Sequence, residues 1–149
     1  MISSNKPILI KGDSSYDNRG CLSFINDLDL GGIKRFYKVK NFEKRFIRAW
    51  HAHKKEYKII ICIKGSFQVS AVEITNFNKP SKKKNIFNFF LNENKSECVF
   101  IPKKYANGLM SFEDNSELII FSNSTLDESI KDDYRYNYNY WDPWKVDNR

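Results

Sequence analysis

The sequence predicts an all-β domain, a sandwich or closed barrel for which a jelly roll is the best match. Three observations carry this. Short apolar runs recur at intervals of about 8 to 12 residues between turn-forming residues. Aromatic residues make up 15% of the chain, with 12 Phe and 8 Tyr, and such side chains suit half-buried pleated surfaces. No helical period interrupts the pattern before residue 124. An immunoglobulin-like sandwich would require a Cys and Trp spacing that is missing here. The 149 residues fit a single domain with a real core, expected over about residues 19–123, with a tail over 124–149.

Taken in order, residues 7–10 alternate into the turn Lys11-Gly12-Asp13, and 21–25 follow Arg19-Gly20 as a second strand. Residues 26–32 read as a turn. Residues 33–39 place Phe36 and Tyr37 on opposite faces, and 41–44 connect to a strand over 45–48. Two longer strands, 59–63 and 67–74, flank Lys64-Gly65-Ser66. A polar loop containing Pro80 occupies 75–85, before a strand over 86–91. Residues 98–101 run into Pro102, and 108–112 and 118–121 complete the set. Thr125 stands three residues before Glu128, the spacing of a helix capping box, so a short helical turn is expected there. The Tyr- and Trp-rich stretch from Tyr134 to Trp144 offers apolar bodies with polar tips, suited to packing on a sheet or covering a pocket mouth.

Chemistry concentrates at Arg48-Ala-Trp-His51-Ala-His53-Lys54-Lys55, which holds both histidines of the chain. Side chains two apart on a strand share a face, so His51 and His53 point one way while Trp50 and Ala52 point the other. Arg48 upstream and Lys58 downstream complete a cationic, titratable cluster. A solvated strand edge would not lead into Ile59-Ile60-Ile61-Cys62-Ile63, a run that places this stretch against a core.

The formal charge of +7 and pI near 9.2 suit an anionic partner. Much of the excess is scattered lysine, including Lys82-Lys83-Lys84, and no helix-turn-helix, zinc finger or RNP-type signature supports nucleic acid. A membrane surface or a phosphorylated metabolite would also fit the charge, and a Lys-rich surface can equally reflect biased composition. Cys21, Cys62 and Cys98 are odd in number and form no CxxC pair, which points to a reducing cytoplasm rather than a disulfide framework. No apolar stretch approaches the roughly 20 residues of a membrane span, so no membrane partner is expected.

Five stretches, in this order, carry a family resemblance: Ile33-Lys34-Arg35-Phe36-Tyr37; Arg48 to Lys55 as quoted above; Ile63-Lys64-Gly65-Ser66; Phe100-Ile101-Pro102-Lys103-Lys104-Tyr105-Ala106-Asn107-Gly108; and Tyr140-Trp141-Asp142-Pro143-Trp144. Together they resemble a cupin, a double-stranded β-helix or jelly roll. Within that class they are similar to the sugar-nucleotide 3,5-epimerases of the dTDP-4-dehydrorhamnose type and to the related 3,4-ketoisomerases. Metal-binding cupins carry HxH, then a Glu seven residues before a Gly, and later PxGxxH. Here His51 and His53 supply the HxH, but Lys58 stands seven before Gly65 and Asn107 five after Pro102. An ammonium repels a cation and an amide is a poor substitute for imidazole, so a metal-free site without cofactor is expected.

The resemblance implies proton-transfer isomerisation of a nucleotide-linked 4-keto-6-deoxy sugar through an enolate, feeding surface polysaccharide synthesis. On it, His51 falls at the catalytic base and His53 also lines the site. Tyr37 matches the tyrosine that exchanges protons at neighbouring carbons. Lys58 falls near the keto oxygen, Arg48 at the diphosphate with Lys54 nearby, and Asn107 where epimerases carry a second histidine. Trp50 and Tyr105 are candidates to stack on base or sugar, as is Trp141. Two departures matter: the epimerase tyrosine near Ile120 and Phe121 has no hydroxyl counterpart, and the ketoisomerase glutamine after HAHK is not evident. A homodimer is also implied. The competing expectation is a non-catalytic cupin that still binds a sugar nucleotide.

Overall fold

The alternation that marks a half-buried strand is cleanest at β11 (Ser116–Ser122), where Leu118 and Ile120 are buried and Ile119 and Phe121 are less so. In the computed structural model, which describes residues 2–145, β11 lies inside a five-stranded antiparallel sheet of order β1-β9-β6-β11-β4. Its other strands are β1 (Ile8–Lys11), β4 (Arg35–Asn41), β6 (Lys58–Lys64) and β9 (Glu97–Ile101). A second sheet, of order β12-β5-β10-β7-β8, faces it. It comprises β5 (Ile47–Ala52), β7 (Ser66–Glu73), β8 (Ile86–Asn92), β10 (Tyr105–Ser111) and β12 (Tyr134–Arg135). This is the jelly roll expected from the strand spacing.

Three apolar clusters hold the layers. Ile60, Phe67, Val69, Val99, Leu118 and Ile120 interlock between the sheets, and each fully buried side chain of this size contributes about 1.5–3 kcal/mol relative to exposure. Ile59, Cys98 and Phe100 pack on the outer face of the first sheet under Ile25, Leu28 and Ile33. That two-sided cover is why 59–63 reads as an unbroken apolar run rather than an alternating one. The third cluster sits outside the second sheet, where Trp50, Trp141 and Trp144 meet. The chain changes sheets between β6 and β7 at Gly65, whose φ of +70° and a Cβ position 2.1 Å from Ser116 Oγ both demand glycine.

The structure departs from the sequence reading at several places. β2 (Asp13–Asp17) was hidden because Asp-Ser-Ser-Tyr-Asp has no apolar face; it forms a hairpin with β3 (Gly20–Phe24) that belongs to neither large sheet. β10 starts at Tyr105 rather than Gly108, and β5 runs to Ala52 rather than stopping at Arg48. In the tail the short helical turn expected from the Thr125–Glu128 spacing is present, and the departure is an added short strand. Thr125 and Glu128 form a reciprocal capping box for α1 (Leu126–Lys131), and β12 adds an edge to the second sheet beside β5. The final four residues of the expected tail, 146–149, lie outside the described residues.

Candidate active site

A cavity of about 510 Å³ opens between the sheets, with Val39, Leu109 and Ile120 as its apolar floor and α1 at its rim through Leu126, Ser129 and Ile130. His51, His53, Tyr37, Arg48, Lys58 and Asn107 all line it. Strand parity alone does not explain this gathering, because Arg48 and His51 are three apart and should face opposite ways. A β-bulge resolves it: His51 pairs with Asn107 and Arg48 with Leu109, so Ala49 and Trp50 together oppose the single Gly108. The extra residue turns Arg48 to the cavity side. Any larger residue at Gly108 must displace a neighbour, since a Cβ there would lie 2.7 Å from Trp144 and 2.9 Å from Ala49.

His51 is partly buried on the cavity wall, and its pKa is pushed down to about 4. Burial is the main cause, followed by the positive charges of Lys58 and Arg135; Asp133 works the other way. Its imidazole is therefore neutral at physiological pH, the form that accepts a proton. Tyr37, paired with Ile120 across the first sheet, has its phenol pushed up to about 12 by burial and then by the charge of Glu56. It keeps its proton and can donate it. The same cavity thus holds a free base and a protonated acid.

Lys58 lies at the start of β6 with its side chain only 8% exposed, and its Nζ donates to Asn107 Oδ1 at 3.3 Å. Burial lowers its pKa, while the carboxylate of Glu56, 3.9 Å away, opposes that fall. Arg48 is pinned at the rim: Nε donates to Asn41 Oδ1 at 2.7 Å and one terminal nitrogen to the Lys40 carbonyl at 3.3 Å. Its guanidinium sits over the Phe46 ring at 5.6 Å.

Four expected contacts fall elsewhere. Trp50 is wholly buried in the outer cluster, where its indole N–H donates to the carbonyls of Tyr138 and Trp141. Trp141 is buried in the same cluster. Tyr105 packs edge-on against Phe87 in the inter-sheet core. Lys54 lies over Phe77 and Tyr134 beside a separate cavity. None of the four lines the central cavity. Trp50 goes outward because parity holds for it, and Tyr105 goes inward to core because β10 already begins there.

Three charged groups were missed. Asp133 and Arg135, joined at 2.8 Å, reach the cavity because β12 pairs with β5 and sets Arg135 opposite His51. Glu56 has a fully buried side chain beneath the cavity; it sits in a turn between strands, where Lys-Lys-Glu-Tyr-Lys looks solvated. Burial favours its neutral form, yet His53, Lys58 and Ser122 outweigh that and bring its pKa down to about 2. Among the described residues no three His, Cys, Asp or Glu side chains gather as a metal-ion ligand set.

Fold and cavity together define a cupin-type jelly roll with a titratable, largely cationic cavity between its sheets. The chain belongs to the WxcM-like, C-terminal family (FdtA), whose model matches residues 6–144. No curated protein matches the sequence. Among solved structures, it is similar to QdtA, a sugar 3,4-ketoisomerase from Thermoanaerobacterium thermosaccharolyticum in complex with TDP, at 23% identity and TM-score 0.68, covering 91% of this chain and 92% of that one. A QdtA mutant in complex with TDP-4-keto-6-deoxyglucose aligns at 24% identity and TM-score 0.68, over 93% and 92% of the two chains. The dTDP-4-dehydrorhamnose 3,5-epimerase from Bacillus anthracis, with TDP and pyrophosphate bound, aligns at 16% identity and TM-score 0.79, over 99% and 90%.

Proposed function

We propose that this protein isomerises a nucleotide-linked 4-keto-6-deoxy sugar by proton transfer, at the level shared by 3,5-epimerases and 3,4-ketoisomerases. The observation that carries the reading is the pairing of a neutral His51 and a protonated Tyr37 in one cavity with the buried ammonium of Lys58. In it, His51 removes a proton from a carbon next to the carbonyl, and the electron pair of that C–H bond moves into the enolate. Lys58, with the Asn107 amide beside it, stabilises the developing oxyanion. A proton then returns to carbon either from the imidazolium of His51, which resets the base, or from Tyr37, in which case the phenolate is reprotonated from solvent and the His51 imidazolium releases its proton to solvent. Arg48 and Arg135 offer guanidinium forks for the diphosphate. No step requires a cofactor. Related proteins bind TDP and a TDP-keto-sugar, which supports the substrate class.

The test is deuterium wash-in. Offered TDP-4-keto-6-deoxyglucose in deuterated water, the protein should incorporate label into the sugar ring. Label at carbon 5 assigns epimerisation; label at carbon 4 with the carbonyl moved to carbon 3 assigns ketoisomerisation. Binding without any label would replace this reading with that of a non-catalytic sugar-nucleotide receptor.

A further inference from the structure

We propose that Glu56 is a positioning residue that, together with Asp132, holds His53 with both ring nitrogens protonated, one in a hydrogen bond and one in charge contact, leaving His51 as the one imidazole free to accept a proton. The ring of His53 is held at both ends. Its Nδ1 lies 2.5 Å from the Asp132 carbonyl, which can only accept, so Nδ1 carries a proton. Asp132 is itself fixed, since its carboxylate accepts from the backbone N–H groups of Lys54 and Lys55, each at 2.9 Å. At the other end Nε2 lies 2.9 Å from Glu56 Oε2. A carboxylate also only accepts, and an imidazole lone pair aimed at it would be repelled, so Nε2 carries a proton too.

The state of Glu56 follows from its surroundings. Oε1 accepts from the Ser122 hydroxyl at 2.5 Å and from Arg35 at 3.2 Å. Buried Oε2 has no aligned hydrogen-bond donor, and its near neighbours are His53 and Lys58. Positive charge rather than hydrogen-bond alignment must hold that oxygen, because a buried carboxylate oxygen facing neutral groups is costly. Although His53 lines the cavity, neither of its nitrogens is left for substrate.

Glu56 also acts on the far side of the cavity through Lys58. The ammonium of Lys58 is faced by Glu56, Arg35 and Asp133 and hydrogen-bonds to Asn107. His51 is faced by Lys58, Arg135, Asp133 and His53. Removing the Glu56 charge leaves Lys58 buried without its nearest counter-charge and favours the neutral amine. That loss removes a cation which holds His51 in its basic form, so His51 should titrate at higher pH. The second half of this inference rests on the proposed isomerase reading; the first half does not.

Two measurements separate these parts. The chain has only two histidines, so nitrogen-15 labelling of histidine gives two ring spectra, and His51→Asn leaves His53 alone for assignment. At neutral pH without substrate, the wild-type His53 ring should show two protonated nitrogens and the His51 ring one bare nitrogen. A bare nitrogen on His53 in the wild-type protein would overturn the proposal without recourse to any Glu56 variant. In Glu56→Gln, His53 should gain a bare nitrogen, and the acidic limb of deuterium exchange should move to higher pH while kcat falls at least tenfold with KM little changed. An unmoved limb with an unaltered His53 spectrum would reduce Glu56 to packing. If the wild type exchanges no deuterium, the isomerase reading fails, and the ring spectra still decide the assignment of His53.

Discussion

The two faces of the β5–β10 layer carry opposite chemistry from the same few residues. Outward, Trp50, Trp141 and Trp144 make a dry aromatic wedge, with ring centroids 5.2 to 5.4 Å from Trp50. Inward, Arg48, His51 and Asn107 meet Lys58 and Tyr37 around a polar cavity. The outer face follows ordinary strand parity and large apolar side chains. The inner face needs the bulge at Gly108 to bring Arg48 and His51 together. The lesson is that stability and chemistry occupy opposite sides of one strand, and mutations should separate them.

The largest expected separation is at His51. His51→Asn should lower deuterium exchange into the keto sugar by about 10²–10⁴-fold, the usual worth of a general base, with the unfolding midpoint held or raised. Undiminished exchange would remove His51 from the reaction. Next comes its neighbour: Trp50→Ala should cost about 3–5 kcal/mol in urea denaturation, since the indole is fully buried. The protein that remains folded should still turn over. Gly108→Ala strikes both faces at once, with an overpacking cost of about 1–3 kcal/mol and a displaced Arg48 that raises KM. Wild-type KM in that variant would show that the bulge does not set the position of Arg48.

A smaller effect lies in the pH dependence of stability. His51 falls from the ordinary 6.5 to about 4 in the folded protein, so between those values the unfolded chain binds more protons. Stability must therefore decline as pH falls through that window. Thermal midpoints recorded across it should slope in the wild type and flatten in His51→Asn; parallel curves would mean the neutral form is not preferred. The smallest effect is expected at Lys54, which stacks on Phe77 and Tyr134 away from the cavity. Lys54→Ala should cost about 0.5–1 kcal/mol and leave exchange kinetics unaltered.

The strands of the two large sheets other than β12 were legible because each covers one or two apolar faces and the turns between them are marked by Gly, Asn and Pro. His51, Tyr37, Lys58 and Asn107 were legible as members of one site by their place in the ordered motifs. What escaped depended on long-range pairing. The facing of Arg48 is decided by Gly108, on another strand, and Arg135 enters only because two residues of the tail add to the sheet edge. Glu56 escaped for a different reason: its burial follows from the convergence of Arg35, His53, Lys58 and Ser122, and no local pattern announces it. Trp50 and Tyr105 were misplaced as ligand contacts because a large aromatic near a site motif reads the same whether it faces ligand or core.

The tail grips the 75–85 loop in a particular manner. Tyr136 and Tyr140 hydroxyls and the Trp141 indole N–H donate to the main-chain carbonyls of Phe77, Pro80 and Ser81 respectively. Carbonyls are common to every amino acid, so this grip fixes the path of the loop without reading its letters. The lysines there can be rewritten, or an epitope grafted in their place, at the cost only of the Lys82 contact over the Tyr140 ring and the Lys84–Glu73 ion pair, so long as the backbone keeps its course.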